Sequence, residues 1–225
     1  MRPHTYIVIP AKDEAFRIGN VLHDVKKEGF EHIVVVDDGS ADRTGDIAES
    51  FGATVLRHFT NLGPGAATQT GIEYALQCGA EIIVTMDGDE QHFASDIQHM
   101  VDVLETEPVD VVLGSRFIQR EPDAIPSSRI VYNVLGNFVT RVITGVTVSD
   151  SQCGMKAFRA GFARKIQFQF NGYEFCTELI YIIRKHKARY KEVPVRVSYT
   201  RESLRKGQSL LNGFRMIFRL IKYYV

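Results

Sequence analysis

The sequence predicts an α/β fold: a mostly parallel, twisted sheet flanked by helices. Three observations carry this prediction. Short β-branched runs alternate with amphipathic helical segments, the runs are apolar throughout, and a polar cluster follows most of them. Runs that are apolar on both faces are typical of parallel strands covered by helices. Because ligands of such sheets bind at the carboxyl ends of the strands, the polar clusters mark a candidate site.

Length and composition indicate a globular protein. The chain has 225 residues, of which 44% are hydrophobic and 24% are charged, which excludes a disordered, collagen-like or low-complexity chain. No stretch approaches the roughly 18 apolar residues of a spanning helix, and the first residues lack the apolar segment of a secretory signal. Three cysteines without CxxC spacing predict neither a disulfide framework nor a zinc site, and they favour a reducing compartment.

The first 116 residues alternate between strands and helices. Residues 6–9 predict a strand closed by a proline, and the helix predicted over 15–28 has its apolar residues on one face. Residues 33–36 form an unbroken β-branched run, which predicts a strand buried on both sides. The alternation continues with a helix that Ser40 or Asp42 can cap and that ends near residue 51, a strand over 53–56, a helix over 63–78, a strand over 81–86, a helix over 96–105 and a strand over 110–113.

The pattern changes after residue 116. Two prolines in 121–128 predict a loop, and apolar residues at helical spacing predict a helix over 129–144. The segment 149–156 is polar, contains glycine and is assigned neither strand nor helix. The remaining predictions are a helix over 174–186, a strand over 191–197 and a final helix over 209–225. Because there is no internal repeat and no long linker, we expect one domain.

Charge is distributed unevenly along a chain whose formal net charge is zero. Residues 181–225 contain twelve lysines and arginines against two glutamates, so the first 180 residues are acidic by the same amount. A basic end of this kind often contacts phosphates, nucleic acid or a membrane surface, while a solvated basic face is the alternative.

The motif Asp-Gly-Asp-Glu-Gln follows the fourth predicted strand. Asp87, Asp89 and Gln91 present side-chain oxygens at alternate positions, and such hard ligands suit Mg²⁺ or Mn²⁺. The metal would complete its coordination with a diphosphate and water. A capping turn with solvated carboxylates is the alternative interpretation.

Two further features lie at predicted strand ends. Asp37 and Asp38 end the second strand, where one of them could accept hydrogen bonds from a base or a ribose. The alternative is a carboxylate that is stabilised at a helix N-terminus. Gly63 and Gly65 open the third helix, where backbone N–H groups could bind an anion. Close packing of that helix is the favoured interpretation of these glycines.

These stretches together resemble the family 2 glycosyltransferases with the GT-A fold, and among them the dolichyl- and polyprenyl-phosphate sugar synthases. The resemblance rests on ordered motifs that run along nearly the whole chain: IVIPAKDE, VVVDDGSADRT, NLGPGAATQTGI, DGDEQH, LGSRF, DSQCGMKAFR, EFCTELIY and KEVPVRV. It implies a single GT-A domain over 1–225, with a nucleotide-binding half over 1–116 and an acceptor-binding half over 117–225.

The resemblance implies an enzyme that needs Mg²⁺ or Mn²⁺. This enzyme would move a sugar from GDP-mannose or a UDP-sugar to a polyprenyl or dolichyl phosphate, with inversion. A family 2 enzyme that acts on a saccharide hydroxyl is the alternative. Two departures leave the nucleotide open. Lys12 stands where mannose synthases often have tyrosine, and residues 207–211 lack the lysine of the donor-clamping motif, which Arg205 or Lys206 could replace.

The resemblance also implies roles for individual residues. The metal ligands would be Asp87, Asp89 and Gln91. The acceptor phosphate would be held by Arg116, Arg129 and Asn133. The nucleotide-sugar would be bound by Pro10, Glu14, Asp37, Asp38, Asp87, Gly88 and Arg205.

The nature of the acceptor decides the catalytic residues, for which our candidates are Asp89, Arg116 and Asp150. A hydroxyl acceptor needs a general base, and Asp150 is the candidate. A phosphate monoester is already anionic and needs cations instead, such as Arg116 or Lys156. In that case Asp150 would orient an arginine or the sugar. Glu178 is expected to be a structural ion-pair partner.

A lipid phosphate acceptor predicts a protein that lies peripherally on the cytoplasmic face of a membrane, alone or with a separate membrane protein, and without nucleic acid. The final helix is amphipathic and basic, as interfacial helices are, although core packing is the alternative. The helix over 129–144 could also face the membrane. In the final helix the apolar face comprises Leu210, Phe214, Ile217, Ile221 and Tyr224, and the basic face comprises Arg215, Arg219 and Lys222.

Overall fold

A computed structural model describes residues 3–119, 125, 127–199, 219–220 and 222–224. Its strands are β1 (Thr5–Ala11), β2 (His32–Asp37), β3 (Thr54–Arg57), β4 (Ile82–Thr85), β5 (Val111–Ser115), β6 (Lys156–Arg159) and β7 (Tyr190–Pro194). Its helices are α1 (Ile18–Lys27), α2 (Thr44–Ser50), α3 (Pro64–Gln77), α4 (Ile97–Thr106), α5 (Ser127–Thr144), α6 (Ala160–Ala163) and α7 (Phe175–Lys185), and a 3-10 turn (Ala94–Asp96) precedes α4.

The strands form one sheet in the order β3-β2-β1-β4-β6-β5-β7. All neighbouring pairs are parallel except those of β6, which runs antiparallel to β4 and β5. The predicted mostly parallel sheet is therefore confirmed. The sequence did not predict β6, because its four residues begin and end with a cation and do not form a β-branched run.

The sheet is buried on both faces, as the apolar runs predict. In β1, Ile7 and Ile9 pack into the core on one face with α1 and α4. Val8 points to the opposite face and packs with α3 and α7. All three side chains are completely buried. The helices therefore cover both faces of the sheet and leave the ends of its strands uncovered.

The end of the chain packs against α5 and α7. Leu220 is completely buried against Val139 and Ile143 of α5. The hydroxyl of Tyr224 donates to Glu178 at 3.1 Å. Residues 219–220 and 222–224 are helical, and their packing matches the core-packed alternative, whereas most of the predicted helix over 209–225 lies outside the described residues.

Glu178 has a structural role, and among the described residues its contacts are hydrogen bonds rather than the predicted ion pair. Its carboxylate accepts hydrogen bonds from the backbone N–H groups of Gln169 and Phe170 at 2.8 and 3.2 Å, besides the bond from Tyr224. It thereby fixes the loop before α7.

In the part of the chain that the structure describes, no helix is both long enough and apolar enough to cross a bilayer.

Candidate active site

The carboxyl end of β4 carries the two aspartates that were predicted to bind a metal. The chain turns there through Asp87, the buried Gly88 and Asp89. Glu90 has a φ of 62°, a left-handed conformation that costs about 1 kcal/mol or more for a residue with a side chain. Its carboxylate is held by Asn20 of α1, whose amide donates to it at 2.6 Å. The turn is therefore strained and fixed in place, as is common at functional sites.

Both aspartates lie in surroundings that oppose their ionisation. Desolvation by the surrounding protein raises the pKa of Asp87, and the charges of Lys156 and Arg116 oppose this shift. About half of the Asp87 side chain nevertheless remains exposed. Burial and the charge of Asp87 raise the pKa of Asp89 to about 6. Burial and the charge of Arg116 lower the pKa of His92 to about 4, which leaves this imidazole neutral near pH 7. A divalent cation would relieve the repulsion between the two carboxylates.

The side chains of this turn fit Mg²⁺ or Mn²⁺. Asp87 and Asp89 provide two hard carboxylates, and Mg²⁺ sites usually combine one or two carboxylates with phosphate and water. Among the described residues, no group of three His, Cys, Asp or Glu is arranged to hold a metal. A nucleotide diphosphate and water would therefore have to complete the coordination. Gln91 donates its side-chain N–H to Asp89, so its oxygen becomes a ligand only after the amide rotates.

Sequence reasoning missed two residues beside Asp87. A Cβ added at Gly154 would lie too close to the Asp87 carboxylate, so glycine at position 154 lets this carboxylate occupy its present place. His92 is buried, and its Nε2 lies 3.7 Å from Asp87 Oδ2. Lys156, which was considered for the acceptor phosphate, is buried and donates to the backbone carbonyl of Cys153. Gly154 could have been found from the sequence only if β6 had been predicted, because this glycine lies two residues before that strand.

A second cluster lies at the carboxyl end of β5, where Asp150 holds Arg116. The Nε, Nη2 and backbone N–H groups of Arg116 donate to Asp150 at 2.7, 2.8 and 3.1 Å. The Asn133 amide donates to the same carboxylate at 2.6 Å. Asp150 is only 2% exposed. Burial lowers the pKa of Arg116, but the hydrogen bonds and charge of Asp150 outweigh it and raise that pKa, so the guanidinium stays charged.

This geometry favours one of the two roles considered for Asp150. Both of its carboxylate oxygens accept hydrogen bonds, so a proton from an attacking hydroxyl would meet an occupied acceptor. An oriented guanidinium, in contrast, is well suited to bind a phosphate. The Arg116 Nη1 also donates to the Tyr199 hydroxyl at 3.2 Å, which fixes the guanidinium further.

The remaining predicted acceptor and donor residues are described only in part. Asn133 is buried on α5 and contacts Asp150. Arg129 lies one turn earlier on the same helix, and its side chain is outside the described part of the structure. Arg205 falls outside the described residues entirely.

The predicted nucleoside residues lie at the carboxyl ends of β1 and β2. Pro10 and Glu14 lie in and just after β1, and Asp37 ends β2 beside Ala11. Glu14 forms an ion pair with Arg17 at 2.9 Å. Because β2 and β4 both pair in parallel with β1, their carboxyl ends meet at the same edge of the sheet. This topology puts Asp37 and Asp87 at one rim, as the predicted site requires.

Asp38 fixes the loop that follows β3. Its carboxylate accepts hydrogen bonds from the backbone N–H groups of Leu62 and Gly63 at 2.8 and 2.7 Å, and its Oδ1 lies 2.7 Å from His58 Nδ1. Because these partners occupy its buried carboxylate, Asp38 stabilises the loop after β3 and has a structural role.

The N-terminus of α3 is closely packed, as favoured from the sequence. The Gly65 N–H donates to the carbonyl of Asn171 at 2.7 Å. Side chains at Gly63 or Gly65 would collide with the backbone of residues 170–171. The glycines therefore permit close approach, and the Gly65 amide is already occupied by protein.

Comparison with known proteins decides the family. A model described as glycosyl transferase family 2 matches residues 6–167. The chain belongs to glycosyltransferase family 2. This confirms the resemblance drawn from the motifs, and the matched range extends from β1 into the loop before α7.

Relatives of this family 2 glycosyltransferase match almost end to end. An uncharacterised protein of Methanocaldococcus jannaschii is 39% identical over 96% of this chain and 90% of its own length. The UDP-N-acetylglucosamine–dolichyl-phosphate N-acetylglucosaminyltransferase of Methanococcus voltae is 31% identical over 96% of this chain and 94% of its own. The polyprenol monophosphomannose synthase of Mycolicibacterium smegmatis is 27% identical over 93% and 81%.

Solved structures confirm the GT-A fold. The glucosyl-3-phosphoglycerate synthase of Mycobacterium tuberculosis, in complex with Mn²⁺, UDP and glucosyl-3-phosphoglycerate, aligns with a TM-score of 0.72 and 18% identity over 97% of this chain and 77% of that one. The mannosyl-3-phosphoglycerate synthase of Rubrobacter xylanophilus aligns with a TM-score of 0.71 and 16% identity over 98% and 72%. At such identities the likeness concerns the fold alone.

The role of Asp38 generates a stability prediction. Replacing Asp38 with alanine should lower the free energy of unfolding by about 2–4 kcal/mol, because two backbone N–H groups lose a buried, charged acceptor. Urea unfolding followed by circular dichroism measures this change. The control is Asp46→Ala, which removes an exposed carboxylate paired with Arg57 and should cost less than about 1 kcal/mol. Equal stabilities of the two variants would contradict the architectural role.

Proposed function

We propose that this family 2 glycosyltransferase transfers a sugar, with inversion, from a nucleotide-sugar to a polyprenyl or dolichyl phosphate. The observation that carries the proposal is the arrangement of Asp150, whose oxygens are engaged by Arg116 and Asn133. It supports an anionic acceptor bound by an oriented cation over a hydroxyl activated by a base. Relatives named as dolichyl- and polyprenyl-phosphate sugar transferases, which match over most of the chain, support the same acceptor.

Arg116 is the proposed seat of the acceptor phosphate. Asp150 holds the guanidinium plane in a fixed orientation, so little side-chain entropy is lost when a phosphate binds. Arg129 is proposed to add a second cation, and Asn133 to position Asp150 for this task. The acceptor phosphate is already charged near neutral pH and attacks the sugar without a proton transfer.

The donor is proposed to lie along the rim formed by the ends of β1, β2 and β4. Asp87, Asp89 and Gln91 would hold Mg²⁺ or Mn²⁺, which stabilises the charge that develops on the leaving diphosphate. Structural neighbours crystallised with UDP and either ion support this choice. The nucleotide-sugar would be a UDP- or GDP-sugar, and its proposed ligands are Pro10, Glu14, Asp37, Asp38, Asp87, Gly88 and Arg205.

A lipid acceptor also locates the protein. We propose that it works peripherally on the cytoplasmic face of a membrane, where a nucleotide-sugar and the head group of a lipid phosphate are both accessible. In this proposal the protein works there alone or with a separate membrane protein, and the reaction involves no nucleic acid.

An acceptor assay tests the proposed function. Purified protein with Mn²⁺ should transfer labelled sugar from UDP-N-acetylglucosamine, UDP-glucose or GDP-mannose to polyprenyl phosphate in detergent. Product formed only with oligosaccharide acceptors would overturn the lipid acceptor.

In the same assay, Asp150→Asn should raise the KM for the acceptor about tenfold, because Arg116 loses its charged support. A loss confined to kcat, together with loss of the acidic limb of the pH profile, would instead identify Asp150 as a base.

The metal ligands generate a binding prediction. Asp89→Ala should weaken Mn²⁺-dependent binding of UDP at least about tenfold, because one carboxylate of the ion is lost. A thermal-shift titration with UDP and GDP, with and without EDTA, measures this loss and shows which nucleotide stabilises the protein. Asp102→Ala is the control, since that side chain is exposed on α4. Equal binding by wild type and Asp89→Ala would remove Asp89 from the metal site.

A further inference from the structure

The hydrogen bonds of Arg116 show from which side a phosphate can approach it. A guanidinium carries five N–H groups. Nε and Nη2 each donate one to Asp150, at 2.7 and 2.8 Å, and Nη1 donates one to the hydroxyl of Tyr199 at 3.2 Å. Within the described part of the chain, this leaves one N–H group on Nη1 and one on Nη2. A phosphate therefore binds Arg116 at the Nη nitrogens, because Asp150 occupies the edge that includes Nε.

The hydroxyl of Tyr199 lies beside these Nη nitrogens. Its oxygen accepts from Nη1 of Arg116, so its own hydrogen has to be donated elsewhere. Among the described residues this hydroxyl makes no second hydrogen bond, which leaves its hydrogen for a ligand. Two donors that lie 3.2 Å apart can bind two oxygens of the same phosphate. The guanidinium side chain is 15% exposed, so a ligand can reach it.

The backbone before Tyr199 is tied to the turn that carries the proposed metal ligands. The Ser198 N–H donates to the carbonyl of Gln91 at 2.9 Å. One residue earlier, Val197 forms an antiparallel bridge with His92. The backbone at Tyr199 therefore adjoins the metal-binding turn, while its hydroxyl reaches the cation at the end of β5. A phosphate on this hydroxyl would lie next to the proposed donor site.

We propose that the hydroxyl of Tyr199 binds the acceptor phosphate together with Arg116. This inference rests on the proposed function and adds a residue to its acceptor site. The hydroxyl donates to one phosphate oxygen, and the Nη nitrogens of Arg116 donate to others. Tyrosine keeps its hydrogen throughout, so no proton is transferred. The contact exists before and during the attack, so it lowers the KM for the acceptor and leaves kcat nearly unchanged.

Removal of this single hydroxyl tests the proposal. With saturating nucleotide-sugar and Mn²⁺, Tyr199→Phe should raise the KM for polyprenyl phosphate about tenfold and change kcat by less than about twofold. The ring is retained, and only a hydrogen bond to a charged phosphate is lost. The control is Tyr190→Phe, which removes a hydroxyl that lies 3.5 Å from the Thr147 carbonyl and should leave the KM as in wild type. An unchanged KM in Tyr199→Phe would overturn the proposal.

The diphosphate of the donor is the other source of phosphate oxygens near this hydroxyl. A thermal-shift titration with UDP and Mn²⁺ separates the two sources, because it contains no acceptor. Tyr199→Phe should bind UDP as wild type does. A loss of UDP binding as large as the rise in acceptor KM would assign the hydroxyl to the donor, and would overturn the proposal.

A double variant separates a direct contact with the phosphate from an effect on Arg116 alone. Asp150→Asn weakens the support of the guanidinium. If the hydroxyl binds the phosphate directly, the effects of Asp150→Asn and Tyr199→Phe on acceptor KM should multiply to about a hundredfold. A double variant no weaker than Asp150→Asn alone would show that the hydroxyl only orients Arg116, and would overturn the direct contact.

The proposed function and the Tyr199 contact can fail separately. Phenyl phosphate, a soluble phosphate monoester, is a probe that needs no transfer reaction, and phosphorus NMR measures its binding in the presence of UDP and Mg²⁺. Tyr199→Phe should bind it about tenfold more weakly than wild type does. This result without any transfer to polyprenyl phosphate by wild type would reject the proposed function and keep the contact. Phenyl phosphate that binds neither protein, or both equally, would reject the contact.

Discussion

The antiparallel insertion of β6 between β4 and β5 is the constraint on which the site depends. Because β6 runs against its neighbours, the segment that precedes it lies over the carboxyl ends of both strands. That segment puts Gly154 against Asp87 and delivers Asp150 to Arg116. One reversed strand therefore joins the carboxylates at the end of β4 to the cation at the end of β5.

The site brings opposite charges close together without neutralising either set. Asp87 and Asp89 lie near each other in surroundings that disfavour their ionisation, while the charges of Arg116 and Lys156 favour the ionised form of Asp87. Asp150 holds Arg116 in place by hydrogen bonds, and the guanidinium remains a fixed cation. Such an arrangement would suit two anionic substrates side by side, because one would meet a divalent cation bound by the carboxylates and the other would meet the guanidinium of Arg116.

The sequence predicted the features that depend on local periodicity. The β-branched runs before Asp37 and Asp87 predicted two parallel strands with carboxylates at the same edge, and the structure has them there. It did not predict β6, because four residues with charged ends carry no strand signal. The architectural task of Asp38 was also missed, since its partners Leu62 and Gly63 lie more than twenty residues away. For α5 the spacing predicted a helix, but which face is buried depends on tertiary contacts.

The order of the strands bears on how such an enzyme could arise. Strand β5 belongs to the first 116 residues, yet both of its neighbours, β6 and β7, come from the second half of the chain. A piece that ended at residue 116 would keep β5 without any strand to pair with, and β4 with an open edge. The two halves therefore share one sheet and are not independent modules. A recombination event that replaced the donor-binding half would also have to replace β6, the antiparallel strand.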